Sequence, residues 1–330
     1  MTKEQHSHRS TSSGERSPRQ RILRWVGTIT ALLSLIFGAQ QLVEAITDVN
    51  VRGQQITEFK QLAQLQVESG EFAMAWESVN SALKLADAAG TLAKLVGRTD
   101  SQTKELRVVR ENIAMAWLDD MHTTGDQKFS DFVEKLLPAL EQGAITATSQ
   151  RKADLVAHIG WASFLRSRDG VPLDPRRSYE QALQVDSGNP YAHAYLAHWL
   201  VWTGGTLDEA NEHFAVALNT GRVKEKVRDL QLAAYGNRQD EGDGLYVATV
   251  VEMIKSGEKV DADWRHRALW HFTRACSGSP NAELLADLKK RLAPVGLVEA
   301  YEKLRADSAD KTQQDESVIK KVTGCLAAAK

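Results

Sequence analysis

Residues 190–221 read PYAHAYLAHWLVWTGGTLDEANEHFAVALNTG, and the rest of the chain is best understood from this segment. Apolar residues recur at three- and four-residue spacing on both sides of Gly204-Gly205, which predicts two amphipathic helices joined by a tight turn. The preceding residues, 156–189, carry the same pattern in the same register, and another copy begins at Ile56. A hairpin that returns about every 34 residues predicts a stack of helix pairs.

Small side chains occupy equivalent positions in these copies. Ala197 and Ala210 lie on the two helices of one hairpin, and Ala63 and Ala75 have the same places in the copy at 56–89. Small residues let two antiparallel helices approach closely, and large ones then fill the space to the next hairpin. The large residues at repeated positions are Phe59, Leu62, Val79, Ile159, Tyr179, Leu196, Leu200 and Phe214.

This pattern resembles the tetratricopeptide repeat family. The resemblance covers residues 56–89, 156–189 and 190–224 well, and 111–146 loosely. It implies an all-α fold, with an α-solenoid of tetratricopeptide-type hairpins across residues 46–224. Later helical patterns predict degenerate repeats or a capping bundle at residues 225–306, and a polar linker with a short helix at residues 307–330.

The composition agrees with a helical globular protein. Of the 330 residues, 42% are hydrophobic and 25% charged, and only seven are proline, so long helices are possible throughout. Residues 25–330 carry 35 basic and 41 acidic side chains, a net charge of −6. An acidic body argues against a nucleic-acid-binding protein.

A stretch without charged residues, Trp25–Val43, follows a basic, serine-rich tail. Nineteen residues at about 1.5 Å per residue span roughly 28 Å, near the hydrocarbon thickness of a bilayer. We therefore expect residues 25–45 to form a single-pass transmembrane signal-anchor helix, after a disordered tail at residues 1–24. A cleaved signal peptide and a buried helix are the alternatives.

The distribution of positive charge predicts an orientation for this anchor. The tail carries six basic and two acidic side chains, whereas Arg52 is the only basic residue in the fifteen that follow Val43. By the positive-inside rule, the N-terminus is cytoplasmic and the helical repeats are extracytoplasmic, which means periplasmic in a bacterium.

Sequence signatures of chemistry are absent. The 330 residues contain no phosphate-binding loop, nucleophile elbow or common zinc motif, so we expect no enzyme activity, cofactor or metal. Cys276 and Cys325 form a disulfide or remain two free thiols. An enzyme site in residues 225–310 is the less favoured alternative, because aromatic and basic residues cluster there: Trp264, Arg265, His266, Arg267, Trp270 and His271.

In the tetratricopeptide family, the first helix of each hairpin lines a concave groove that binds other proteins. Transferred to matching positions, the resemblance implies a partner-binding groove made of Lys60, Gln64, Glu68, Phe164, Ser167, Arg168, Tyr191, His198 and Trp202. For Phe164 and Trp202, packing between helices is the alternative role. The asparagine and lysine clamp with which some members hold a carboxylate is not evident here.

The function expected from these patterns is a membrane-anchored scaffold or adaptor that binds partner proteins or peptides in its groove. A structural subunit of a membrane complex is the alternative. Neither a nucleic acid nor a small-molecule substrate is expected.

Overall fold

The computed structural model describes residues 51–88, 98–121, 128–238, 241–277, 282–306 and 316–329. These residues are 82% helical and contain no strand, so the prediction of an all-α fold is confirmed for them. The predicted tail, residues 1–24, and the predicted anchor, residues 25–45, lie outside the described residues.

Fourteen helices are present in this part of the chain. They are α1 (51–68), α2 (Phe72–Asp87), α3 (Arg98–Asp120), α4 (Ser130–Thr146), α5 (Ser149–Arg168), α6 (Arg176–Val185), α7 (Pro190–Trp202), α8 (Leu207–Asn219), α9 (Lys224–Asn237), α10 (Asp243–Lys255), α11 (Ala262–Ala275), α12 (Ala282–Arg291), α13 (Leu297–Ala306) and α14 (Glu316–Ala328). The chain divides into two compact units, Met1–Leu106 and Arg107–Lys330. This boundary lies far from residue 224, where the sequence pattern had placed the end of the repeats.

In the first unit, α1 and α2 form an antiparallel hairpin. The Arg52 guanidinium, near the start of α1, donates to the Ala88 carbonyl just beyond the end of α2 at 2.7 Å. Gly70 makes the turn with φ at +75°, a left-handed conformation that glycine adopts without strain. Ala63 and Ala75 have no exposed surface, consistent with a close approach of the two helices.

In the second unit, consecutive helices from α4 to α9 pack on one another. Helices α4 and α5, α5 and α6, α6 and α7, α7 and α8, and α8 and α9 are in contact. Alternate helices also touch, α5 with α7 and α7 with α9. Helix α7 is therefore surrounded by four neighbours, and ten of its thirteen residues are buried.

Local sequence signals explain where these helices begin. The Asn189 side chain accepts a hydrogen bond from the Ala192 N–H at 2.9 Å, with Pro190 in the first turn of α7. The Asp174 carboxylate accepts from the Arg176 N–H at 2.9 Å, and α6 begins only at Arg176. The late start follows from Pro175, which stands directly before the helix and has no backbone N–H.

The last five helices share one hydrophobic core with the end of α9. Its members include Tyr235, Tyr246, Phe272 and Tyr301, each at most 3% exposed. Cys276, just after α11, forms a disulfide with Cys325 of α14, with the two Cα atoms 5.9 Å apart. The final helix is thus held to the bundle covalently as well as by packing.

The prediction of a single-pass membrane protein needs correction. Among the described helices, none is both long and apolar enough to cross a bilayer. Helices α3 and α5 have 23 and 20 residues, but charged side chains run along both of them, and burying such groups in lipid is costly.

Candidate binding cleft

A cleft of about 650 Å³ lies in the second unit. A smaller cavity of about 240 Å³ shares four of its lining residues, Lys226, Asp229, Asp263 and Trp264, so we treat the two as one cleft. The remaining lining residues are Asp119, Asp120, Met121, Trp161, Val223, Lys224, Glu225, Leu230, Leu232, Ala233, Asn237, Tyr246, Lys259, Asp261 and Arg267.

Helices α9 and α11 supply most of this lining because of helical periodicity. On α9, residues 226, 229, 230, 233 and 237 are three or four positions apart and share one face. On α11, residues 263, 264 and 267 have the same relationship. The Asp261 carboxylate caps α11 by accepting from the Asp263 N–H at 2.7 Å, which fixes the start of the helix at the cleft.

Asp119, near the C-terminal end of α3, is held in place by groups from three other helices. The Tyr195 hydroxyl of α7 donates to its carboxylate, and the Lys226 ammonium of α9 donates to its backbone carbonyl. His158 Nε2 of α5 lies 3.5 Å from Asp119 Oδ2. Burial opposes ionisation of Asp119, but His158, Lys226 and the Tyr195 hydroxyl outweigh it and lower the pKa of its carboxyl. Asp119 therefore presents a fixed negative charge to the cleft.

An aromatic cluster lies behind the cleft. Trp161 stacks on Tyr195 with ring centroids 4.7 Å apart and an interplanar angle of 14°. The Trp161 indole N–H donates to the Leu118 carbonyl at 3.1 Å, which ties α5 to α3. Phe164 packs at 5.0 Å from Trp161, and His198 meets both rings edge-on. This packing makes the wall of the cleft rigid.

Two of the predicted groove residues, half-buried Arg168 and exposed Trp202, form a pair. The Arg168 guanidinium at the end of α5 lies 4.0 Å from the centre of the Trp202 ring at the end of α7. Trp202 is 44% exposed and also meets Phe164 edge-on at 6.0 Å. Tyr191, on the first turn of α7, is partly exposed. Trp202 thus takes part in packing and still offers an aromatic face to a partner.

The predicted roles of Phe164 and His198 need correction. Phe164 has no exposed surface and His198 is 1% exposed, so neither can touch a docked protein. Phe164 instead takes the alternative role of packing between helices. Burial lowers the pKa of His198 to about 4, so its imidazole is neutral near pH 7. Both residues support the surface from beneath.

The remaining predicted groove residues have varied surroundings. In the first unit, the Lys60 ammonium pairs with the Glu105 carboxylate, whereas Gln64 and Glu68 are exposed on α1. In the second unit, the Ser167 hydroxyl donates to the Phe164 carbonyl at 2.6 Å, within its own helix. None of these four residues lines the cleft.

The aromatic and basic residues of α11 do not converge on one site. Trp264 and Arg267 line the cleft, and the Arg267 guanidinium lies 5.0 Å from the centre of the Tyr246 ring. His271 is buried, with Nδ1 3.5 Å from Asp243 Oδ2. Trp270 is 52% exposed. The predicted cluster therefore splits between the cleft, the interior and the outer surface.

Apart from His266, which is exposed, the described histidines of the second unit are paired or buried rather than grouped. His193 Nε2 donates to the Ser187 carbonyl at 2.9 Å, so its Nδ1 is the acceptor that faces His213 Nδ1 at 2.8 Å. Across the described ranges, no three histidine, cysteine or acidic side chains come together in a way that could hold a metal ion.

Comparison with known proteins gave no match to any family model, curated protein or solved structure. The tetratricopeptide resemblance therefore stays a prediction from the repeat pattern. The function has to be argued from the cleft itself.

Most of the cleft lining was not predicted from the sequence. Lys226, Asp229 and Asn237 belong to α9, which follows the last recognisable repeat. The available signal was a charged pair at three-residue spacing, Lys226 and Asp229, on the face that also carries Leu230 and Ala233. The charged pair can be assigned to a cleft only when the helices that pack against α9 are known.

Proposed function

We propose that the second unit is a tetratricopeptide-like stack of helix pairs that binds a partner protein in its cleft. The proposal rests on the identity of the helices that line the cleft. Apart from Tyr246 of α10, the lining residues within helices come from α3, α5, α9 and α11. These are alternate helices, as expected where the first helix of each pair faces a concave surface, although α7 between α5 and α9 supplies no lining residue.

The packing order supports the same proposal. From α5 to α9, each helix touches the next, and alternate helices touch each other. Stacked hairpins bury their apolar faces in this way, because a single pair leaves one face bare. The mixed lining, with indole, phenol, carboxylate and ammonium groups, suits protein recognition, since aromatic and arginine side chains carry much of the energy of interfaces.

Site-specific photocrosslinking in cells of the source organism tests this proposal. A photoreactive amino acid replaces Asn237, which is exposed and lines the cleft. Matched controls carry it at Val185 of α6 and Val216 of α8, which are exposed and do not line the cleft.

We expect a discrete crosslinked protein from position 237 and weak or no capture of it from positions 185 and 216. Equal capture of one protein from all positions, or none from position 237, would overturn the proposed function.

A further inference from the structure

The charge balance of the cleft indicates the chemistry of its partner. Six carboxylates and three ammonium groups line the larger cavity. The acids are Asp119, Asp120, Glu225, Asp229, Asp261 and Asp263, and the bases are Lys224, Lys226 and Lys259. A cavity wall with an excess of negative charge attracts cationic groups from solution.

Each lysine in the wall already has an acidic or carbonyl partner. Lys224 Nζ lies 2.9 Å from the Glu258 carboxylate, and Lys259 Nζ lies 3.3 Å from Glu225. Lys226 Nζ donates to the Asp119 carbonyl and lies 3.7 Å from the Asp229 carboxylate. Arg267 of the smaller cavity donates to the Gly236 carbonyl, so the whole cleft has six carboxylates against four cationic side chains, each with a partner of its own.

Three carboxylates of the wall have no cationic partner. Within the described ranges, Asp120, Asp261 and Asp263 make no ion pair, and only Asp261 has a hydrogen bond, to the backbone of α11. Asp120 and Asp263 are both exposed. Trp264, which is half-buried, lines the same cavity, and an indole ring can attract a cation as the carboxylates do.

A separate observation lies behind these acids. His158 is completely buried, and its Nδ1 donates to the Asp154 carbonyl at 2.7 Å. Its Nε2 lies 3.5 Å from Asp119 Oδ2 and has no hydrogen-bond partner in the described part of the chain. A fully buried polar atom is therefore left without a hydrogen bond directly beside Asp119.

We propose that the cleft binds a basic segment of a partner protein, with a lysine or arginine side chain between Trp264 and the carboxylates of Asp119, Asp120 and Asp263. The inference rests on the proposed function and adds the chemical nature of the partner. Charge complementarity selects this occupant, because an acidic segment would meet uncompensated carboxylates.

Fluorescence anisotropy with the full chain tests the inference. The probe is a fluorescein-labelled peptide of about twelve residues, with capped ends and arginine at every third position. Two further peptides replace arginine with glutamine or with glutamate. We expect the arginine peptide to bind in a salt-dependent way, the glutamine peptide to bind at least about tenfold more weakly, and the glutamate peptide not to bind.

Paired variants locate the binding. Asp120→Asn/Asp263→Asn removes two cleft charges, and Glu141→Gln/Glu212→Gln removes two exposed charges outside the cleft. We expect about a tenfold rise in Kd for the first variant and no change for the second, since two exposed ion pairs together contribute roughly 1–2 kcal/mol. Equal weakening in both variants, preference for the glutamate peptide, or no binding of the arginine peptide would overturn the inference.

The two proposals fail separately in these experiments. Capture of a partner from position 237 together with no binding of the arginine peptide would leave the cleft as a protein-binding site and reject a basic partner. Binding of the arginine peptide that the cleft variant weakens, with no crosslink in cells, would reject the proposed cellular role and retain the charge preference.

Discussion

Gly160 of α5 lies so close to the ring of Tyr179 on α6 that a Cβ atom on Gly160 would be 2.6 Å from Tyr179 Cε1. Real Cβ atoms do not approach carbon atoms so closely, and Tyr179 is completely buried, so its ring has no free space to move into. The absence of a side chain at position 160 is what lets these two helices pack at this distance.

We expect Gly160→Ala to lower the free energy of unfolding by about 1–3 kcal/mol, as overpacking does in close-packed cores. Gly324→Ala is the matched control, because Gly324 also lies within a helix and a Cβ atom there would meet nothing within 4 Å. That variant should be neutral or more stable by about 0.5–1 kcal/mol. Chemical denaturation of both variants measures the difference, and equal stabilities would refute the close contact.

Glu258 makes the stability of the folded protein depend on pH in the acidic range. Burial opposes its ionisation, but hydrogen bonds from Arg228, Lys224 and Ser256 outweigh burial and lower its pKa to about 2. The pKa of Glu258 is lower in the folded protein than in the unfolded chain, where it is near 4.5. The ionised carboxylate therefore contributes fully to the free energy of unfolding above pH 4.5, and this contribution is lost as the pH falls towards 2. The shift corresponds to about 3 kcal/mol.

Glu258→Gln should lower stability at pH 7 and flatten the dependence of stability on pH between about 4.5 and 2. Glu141→Gln, which removes an exposed carboxylate, serves as the control. Urea denaturation across this pH range provides the measurement. A variant that keeps the slope of the unaltered protein would show that Glu258 is not the group responsible.

His198 makes the stability of the folded protein depend on pH in a second, higher range. Its folded pKa is about 4 because of burial, whereas an unfolded histidine titrates near pH 6.5. The unfolded chain therefore binds a proton first, and stability falls by about 3 kcal/mol as the pH drops from 6.5 to 4.

We expect His198→Phe to remove this loss between pH 6.5 and 4, because a ring that fits an aromatic cluster replaces one that titrates in the unfolded chain. NMR titration of the imidazole gives a direct reading, with a midpoint near pH 4. A midpoint at or above pH 6 would contradict the buried, neutral state of His198.

The disulfide between Cys276 and Cys325 closes a loop with a sequence separation of 49 residues. Closing such a loop in the unfolded chain contributes about 4 kcal/mol in the chain-entropy model. The double variant Cys276→Ser/Cys325→Ser should unfold at a lower temperature by calorimetry, and reduction of the unaltered protein should have a similar effect. Two free thiols in the native protein, counted by mass spectrometry after alkylation, would rule out the cross-link.

The pair of half-buried Arg168 and exposed Trp202 should contribute to partner binding. Loss of both side chains in Arg168→Ala/Trp202→Ala should reduce recovery of a crosslinked partner several-fold while circular dichroism stays unchanged. Arg177→Ala/Val185→Ala, which truncates an exposed arginine and an exposed apolar residue on α6, is the matched control. Full recovery of the partner with the first variant would exclude the pair from the interface.

The sequence predicts helices and turns well because these features are local. Gly204, expected at the turn of the hairpin at 190–221, has a φ value of +89°. The late start of α6 follows from Asp174-Pro175 alone. In each case, the physical cause lies within a few residues of the element that it shapes.

The candidate site was harder to predict because its contacts join distant parts of the chain. Tyr195 and Asp119 are 76 residues apart, and Lys226 is 107 residues from Asp119. The error at His198 has a related cause. The family pattern treats one face of α7 as open, but four neighbouring helices enclose this helix, and its sequence is apolar on almost every side.

Helix α11 joins two features that were described separately. Trp264 in its first turn forms part of the cleft wall, and Cys276, which follows its last turn, carries the bond to α14. A helix of fourteen residues is a stiff rod of about 21 Å, so movement at one end is transmitted to the other. The oxidation state of a sulfur pair remote from the binding surface should therefore help to determine how firmly that surface holds its shape.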